Sequence, residues 1–597
     1  MRKRSEKTNE KIAVALFLVS FALLGLYYAL TNPLYSKPDE AFHYAFTASL
    51  LDGKGLPAVD LSRQGVKVRP PDQEEGHQPP LYYGAIAGLA KLLRLEEHWT
   101  ASPNPHFLGT PSGNRSPWTP YLVSVANAPI AITGRLVSLL CGLLALLCAY
   151  LLFRLFLAWP IALAATALIG WNPQFIYIAT SYSNDMASVA TINLGLWLLG
   201  LAMVRGLTLR RASMIGVVVG VGTLVKIGAL GLLAPLGVIA LWQAWKTRRM
   251  QPLLLAVVAG SVVLAIDSWW FWRNWQLYRD PFTTSLLTVL LGERDAPVTV
   301  DVVRDLFSFL WKSYWLDFSP GGILFADDAL YWIVGAVCAI GLVGAIIAFL
   351  RRPAVRPLLL LLWGWFVLVL VSLLRMTLAT SIFMGGGRLL FSVATAVAAT
   401  LAIGLSELTG RHWGLPAAIA VGLGLFAIAA PSIYLNPVYP LPELTSTLTQ
   451  PPAQESDVHF GDDAFSLLGY DVQRQDVAPG QPGLRVTYYW QTGRGAEQDL
   501  SLFLQMVETG ANAPAAQIDT FPTYGALPTR LWPSDRILVD QIVLPLPPNA
   551  DSLSGTIITG LYDRTTMVRM PAYNRAGERL ANDAVELGRL RNGEFSP

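Results

Sequence analysis

Charge is scarce in this sequence. Of its 597 residues, 14% are Asp, Glu, Lys or Arg, against 53% hydrophobic, where soluble domains carry about 25% charged residues. That excludes a wholly soluble chain, and a mean hydropathy of +0.43 points to a membrane protein with a soluble part. Net charge is small too: +3 gives no argument for nucleic acid or an acidic partner. The three cysteines, Cys141, Cys148 and Cys338, all lie in apolar runs, so no disulfide framework is implied. Cys141 and Cys148 share a helix face but stand too far apart to bond. The six histidines show no metal-ligand spacing such as HExxH.

What the sequence has in abundance is apolar length. The start "MRKRSEKTNEK" followed by "IAVALFLVSFALLGLYYAL" has the charge order of a signal peptide. The run is of spanning length and no small-residue cleavage site follows, so it reads as an uncleaved first transmembrane helix. Further spans are expected near 133–156, 159–179, 185–204, 252–272, 328–350, 357–376, 387–407 and 413–433. The stretch 212–245 is too long for one span and holds two short helices with Lys226 near their junction. The positive-inside rule tests this reading. With two helices there, the clusters Arg2/Lys3/Arg4, Arg205/Arg210/Arg211, Lys246/Arg248/Arg249, Arg351/Arg352/Arg356 and Arg411 all fall on one side.

About eleven spans are therefore expected, with a cytoplasmic N-terminus and an extracytoplasmic C-terminus, in a multi-pass protein of the plasma membrane. The fold class is membrane all-α plus a C-terminal β-sandwich. The domains are 1–433, transmembrane, with an outer first loop 32–132; 434–455, a Pro/Ser/Thr-rich linker; and 456–597, the extracytoplasmic sandwich. The sandwich is read from "SLLGYDV", "LRVTYYWQT", "SLFLQMVET", "RILVDQIVLPLP" and "SGTIITGLYD", alternating runs separated by turn signals. In the outer loop, "EAFHYAFTASLLDG" and "PLYYGAIAGLAKLLRL" have helical spacing and suit interfacial helices.

Asp39 and Glu40, in "SKPDEAFHY", sit at the outer membrane face. Such acids can act as a general base, ligate a divalent cation that bridges to phosphate, or simply favour a helix N-terminus. His43 lies one turn on and shares their face. His77, in "HQPP", is not explained by the prolines beside it, which start a helix, although exposed loops tolerate histidine freely. Asp185 closes "SYSND", where Ser183 or Asn184 is a good N-cap; alternatively Asp185 faces Asp39. Lys226 is costly in lipid and points to an inward-facing functional or structural role; alternatively the helix junction lets it reach the outer surface. In "MGGGRLLF" the glycines leave N–H groups open to an anion, and Arg388 can grip a phosphate in a fork; an interfacial glycine loop is the plainer reading. Together these form an outer-face site. ATP and nucleotide-sugars are cytoplasmic, so an activated substrate there arrives through the bilayer, and a lipid-linked phosphate is the natural one.

In their order, "PDEAFHY", "HQPPLYY", "GRLVSLLCGLLALLCAYLL", "SYSND" and "GGGRLLF" resemble the GT-C superfamily of polytopic membrane glycosyltransferases. They are most similar to the branch of protein O-mannosyltransferases and lipid A aminoarabinose transferases and to related uncharacterised bacterial membrane families. The resemblance spans roughly 12–433. It implies a polyprenyl-phosphate sugar donor, an outer-face active site, inversion at the anomeric carbon, and a glycan, lipid or protein acceptor. By position it implies Asp39 as catalytic base and Glu40 as its support. Arg388 and Lys226 hold the donor phosphate, with His43, His77, Tyr82 and Asp185 supporting. Some relatives need a divalent metal and others do not; Mg or Mn on Asp39, Glu40 and Asp185 is the corresponding expectation. Leu389 stands where many relatives have Tyr after the Gly-Arg pair. The alternative functions are a transporter or flippase of lipid-linked sugars, a receptor-like protein working through its sandwich, and a transferase of a non-sugar group. No inverted repeat favours the first, and no nucleophile with a metal cluster favours the last.

Overall fold

The computed structural model describes residues 2–32, 34–60, 75–96, 128–318, 328–380, 386–435 and 443–597, the last less 476–481, 496–498, 509, 511–512, 526, 548–549, 551–552 and 592. These residues form two units, helices up to residue 435 and strands beyond it.

In lipid the backbone has only itself to bond, so each long apolar run closes into a helix. In chain order the first are α1 (Arg2–Thr31), the short α2 (Glu40–Leu51) and α3 (Leu81–Leu93), then α4 (Pro129–Arg154). There follow α5 (Trp159–Gly170), α6 (Pro173–Ala179), α7 (Asp185–Arg205), α8 (Leu209–Thr223), α9 (Leu233–Thr247) and α10 (Gln251–Tyr278). The last are α11 (Thr284–Leu291), α12 (Val300–Trp315), α13 (Asp328–Arg351), α14 (Arg356–Ala379), α15 (Ala394–Leu408) and α16 (Gly414–Ala430). The protein is a multi-pass membrane protein.

Among the described residues nine helices are long and apolar enough to span, or ten if α5 and α6, bent by 67° at Trp171–Asn172, make one span. This is below the expected eleven. The remaining expected span falls on α8, which has 15 residues, about 22 Å at 1.5 Å per residue, short of the roughly 30 Å hydrocarbon core. The run 212–245 does split: α8 ends at Thr223, and a 3₁₀ turn, Ile227–Leu232, leads into α9, with Lys226 at the break. Both expected interfacial segments are helical, as α2 and α3.

Small residues let spans approach where lipid offers no hydrophobic drive. A Cβ at Gly404 of α15 would lie 1.8 Å from the Gly341 carbonyl oxygen of α13, and one at Gly344 would lie 2.3 Å from the Gly404 carbonyl oxygen.

The C-terminal unit is a two-sheet sandwich. Its strands are β1 (Glu443–Thr445), β2 (Gln454–Phe460), β3 (Phe465–Arg474), β4 (Gly483–Thr492), β5 (Ser501–Glu508), β6 (Ala516–Thr520), β7 (Ile537–Pro545), β8 (Gly555–Asp563), β9 (Val568–Arg569), β10 (Ala572–Tyr573), β11 (Val585–Arg591) and β12 (Glu594–Ser596). One sheet runs β1-β7-β4-β3-β2-β10 and the other β12-β11-β8-β5-β6, with β9 beside β8. All five expected strands are present. β1 and the start of β2 fall within 434–455, the stretch read above as linker. In "YYW", Tyr488 and Trp490 point into the core, while Tyr489 faces the other way and donates to Asp471 Oδ2 at 2.6 Å.

Asp540 of β7 is buried in that core. Thr523 N–H donates to its Oδ1 at 2.9 Å, and its Oδ2 has no partner. Burial pushes its pKa up to about 7. A carboxyl whose folded pKa lies above its unfolded value of about 3.9 favours the fold while protonated. Its cost is absent below pH 4, grows through the interval, and is complete above pH 7, on the order of 4 kcal/mol. Asp540→Asn keeps the Thr523 bond and removes the charge. The full-length variant is expected to melt higher than wild type at pH 8 and close to it at pH 4. An equal gain at both values would rule out titration of Asp540 as the cause.

Candidate active site

The C-terminus of α1, the N-termini of α4 and α7, the α8–α9 break and the 3₁₀ turn Gly386–Val393 that opens α15 come together at one end of the helical unit. Residues 34–60 and 75–80 lie at that end, and here the charged residues meet.

Pro38 and Asp39 lead into α2. Asp39 is its N-cap residue with φ +62°, the left-handed region that Asp tolerates better than most side chains. Its side chain makes no capping bond. Instead Arg388 Nη2 donates to Asp39 Oδ2. Arg388 Nη1 lies 3.7 Å from Asp185 Oδ2, and Lys226 Nζ donates to Asp185 Oδ1 at 2.5 Å. Asp185 thus does face Asp39, with Arg388 between them. The expected N-cap at Asn184 makes no capping bond. Its amide donates to Gln78 Oε1 and to the Val225 carbonyl, both at 3.1 Å, tying the 75–80 loop to the α8–α9 break.

Glu40 is not brought to this cluster. It is buried, and Arg135 of α4 holds it in a fork, Nε to Oε1 at 2.8 Å and Nη2 to Oε2 at 2.6 Å. The Tyr182 N–H also donates to Oε1, at 2.8 Å. Arg135 Nη1 reaches the Ala29 and Asn32 carbonyls at 2.7 Å, so one guanidinium joins the end of α1 to the start of α2. Gly134 makes the room: a Cβ there would sit 1.4 Å from the Tyr182 ring. Lys37, also buried, donates to the Thr180 carbonyl at 2.7 Å and lies over the Tyr177 ring. Adjacent acids thus part company because the first turn of α2 points one outward to the site and the other into the bundle.

Of the glycines before Arg388, Gly387 does not offer an open N–H group. The Gly387 N–H donates to Ser313 Oγ of α12 at 2.7 Å, and a Cβ on Gly387 would lie 2.2 Å from Tyr314 N. The role of Gly386 and Gly387 is close approach: the turn is pressed against α12, which fixes the base of Arg388. Gly385 lies outside the described residues.

His43 stands one turn into α2, with Nδ1 2.7 Å from the Tyr83 hydroxyl. Tyr83, on α3, stacks on Phe46. Tyr82 points elsewhere; its hydroxyl pairs with Ser138 Oγ at 2.7 Å and fastens α3 to α4. His77 is buried, with Nε2 3.1 Å from Gln78 Nε2.

Two residues at the site were not singled out from sequence, Glu75 and Tyr83. Glu75 is 9% exposed and its Oε2 has no partner. One ligand atom each from Asp39, His43 and Glu75 lie within 4.8 Å of one another. This set shares only Asp39 with the expected Asp39, Glu40 and Asp185, because Glu40 is taken by Arg135 and Asp185 by Lys226. Burial raises the Glu75 carboxyl above its usual range, and the Asp39 charge adds to this against His43. Burial lowers His43. Burial alone would raise Asp39, but Arg388 and His43 outweigh it and hold the carboxylate ionised. An unpaired buried carboxylate oxygen, a second carboxylate and an imidazole backed by a tyrosine hydroxyl fit a divalent cation. One nitrogen with oxygens suits Mn²⁺ or Zn²⁺ better than Mg²⁺, which prefers oxygen alone.

No family model and no curated protein sequence matches the chain. Among solved structures it is similar to ArnT from Cupriavidus metallidurans bound to undecaprenyl phosphate, with 16% identity, 70% of this chain and 65% of that one covered, and a TM-score of 0.42. It is also similar to the oligosaccharyltransferase AglB from Archaeoglobus fulgidus in complex with an inhibitory peptide and a dolichol-phosphate, at 15% identity, 70% and 55% coverage and a TM-score of 0.40. A third is the S. cerevisiae protein O-mannosyltransferase Pmt1-Pmt2 complex bound to the sugar donor, at 14%, 48% and 37%, and 0.32. The chain spans less than two thirds of the length of each.

Proposed function

We propose that the protein is a glycosyltransferase that moves a sugar from a polyprenyl-phosphate donor to an acceptor hydroxyl on the extracytoplasmic face of the plasma membrane. The observation that carries this is the meeting of Asp39, Asp185, Arg388 and Lys226 at the ends of membrane helices. An anion site there stands beside a carboxylate, at a depth a lipid-linked phosphate can reach.

Asp39 is the base: its side chain is 35% exposed, against 9% for Asp185. It accepts the proton of the acceptor hydroxyl as that oxygen forms its bond to the anomeric carbon. The bond from that carbon to the phosphate oxygen breaks on the opposite face, inverting the centre, and polyprenyl phosphate leaves as an anion. Arg388 and Lys226 are aimed at that developing charge, and such fixed charges commonly supply the largest part of a rate enhancement. A divalent cation on Asp39, His43 and Glu75 would add a further positive charge beside the phosphate.

The test uses full-length protein in nanodiscs, a panel of polyprenyl-phosphate sugars and envelope extract, with and without EDTA followed by Mn²⁺. Release of free polyprenyl phosphate from one donor is expected, reduced at least about 100-fold by Arg388→Gln. Loss under EDTA with recovery in Mn²⁺ would establish the cation. No release from any donor, together with passage of a lipid-linked sugar across proteoliposomes, would replace this reading by the transporter.

A further inference from the structure

We infer that Asp39 occupies the phosphate site in the ligand-free protein, and that the donor's phosphate displaces it from Arg388, so that donor binding is the event that frees the base. This rests on the function proposed above.

Arg388 carries a planar guanidinium with its donors in a fixed fork. The Arg388 fork takes a carboxylate or a phosphate with the same geometry, and a bidentate grip uses Nη2 together with either Nη1 or Nε. Here Nη2 is on Asp39 and Nη1 faces Asp185. The two acids are not equally committed. Asp185 keeps Lys226 at 2.5 Å whatever Arg388 does, and it starts a long span. Asp39 has no capping bond to hold its side chain and is the more exposed of the two. The backbone under Arg388 is held in place, because its turn is bonded to Ser313 and pressed on Tyr314, so the guanidinium stays within one side-chain length of this site. Asp39 is therefore the partner that yields. Charge is conserved in the exchange: one anion leaves the guanidinium and another takes its place, so neither state has a bare Arg388 in a partly buried setting.

A carboxylate tethered beside the site is an intramolecular competitor, present at high effective concentration. While it holds Arg388, it is also unavailable to an acceptor hydroxyl. Donor therefore binds before acceptor. The consequence separates Asp39 from an ordinary site residue, because removing its charge tightens donor binding while removing catalysis.

The experiment measures affinity for a short-chain polyprenyl phosphate, with the uncharged polyprenol as control, on full-length protein in EDTA. Wild type, Asp39→Asn, Asp39→Ala and Arg388→Gln are compared after each is shown monodisperse with an unchanged melting profile. Two Asp39 substitutions are used so that one folded variant suffices. Tightening of about tenfold or more by either Asp39 variant, with weakening by Arg388→Gln, is the expected result. Unchanged or weaker binding by the Asp39 variants, with Arg388→Gln still weak, overturns the exchange and leaves the phosphate site standing. Binding by Arg388→Gln equal to wild type overturns the phosphate site and the exchange together.

Discussion

Asp39→Asn is expected to lower the rate of sugar transfer by roughly 10²–10⁴-fold, the range that a positioned general base contributes. Asn keeps the size of the side chain and can still accept one bond from Arg388, but it cannot take a proton from the acceptor. The effect falls on kcat, because the phosphate grip of Arg388 and Lys226 remains. If the exchange at Arg388 operates, the apparent KM for donor falls at the same time. Single-turnover release of polyprenyl phosphate from a saturating donor checks this, with folding monitored by melting temperature. Release by the variant at the wild-type rate would remove Asp39 from the chemistry while leaving the class of enzyme intact.

The neighbouring acid has the opposite expected signature. Glu40→Gln leaves the charge of Arg135 buried with half of its fork unanswered, since the Gln amide turns a donor toward a donor. Breaking a buried pair in this way costs about 3–5 kcal/mol, and both side chains are 1% exposed, so solvent screens little of it. A large drop in melting temperature of the full-length protein is expected. Replacing both partners, Glu40→Met with Arg135→Met, is expected to cost less than the sum of the single changes, because no lone charge is left. What the double change does not restore are the Arg135 bonds to the Ala29 and Asn32 carbonyls. If Glu40→Gln retained wild-type stability but lost transfer, Glu40 would belong to the chemistry instead.

The difference between these two adjacent residues was not legible in the sequence. "PDEAFHY" places an acid pair at a helix start, and helical spacing then lets Asp39, Glu40 and His43 share one face. The first turn of α2 begins from a left-handed residue, however, and Arg135, 95 positions further on, claims one acid. Arg135 was visible only as the arginine of "GRLVSLLCG" at the head of a span, where an interfacial anchor looks the same. Glu75 gave even less signal, since it lies in a loop beside other acids with no periodicity. Tyr83 was visible as one of two adjacent tyrosines, and only the packing of α3 on α2 decided that it, and not Tyr82, backs the histidine.

What the sequence determined by itself is whatever depends on local pattern. Runs of spanning length become helices because lipid leaves the backbone no other partner. The break at Lys226 follows from a run too long for one span, and the alternating strands of the sandwich follow from a buried face of period two. The spacing of charges along the chain also brought Asp39, Asp185, Lys226 and Arg388 to span ends. Only the tertiary structure decided which of these charges pair, which face the site, and what the Gly386–Gly387 turn is for. Those outcomes depend on contacts between segments up to 349 positions apart, such as Asp39 with Arg388. Pairing of that kind is settled by helix packing and by competition among partners for each buried charge, which no local stretch encodes.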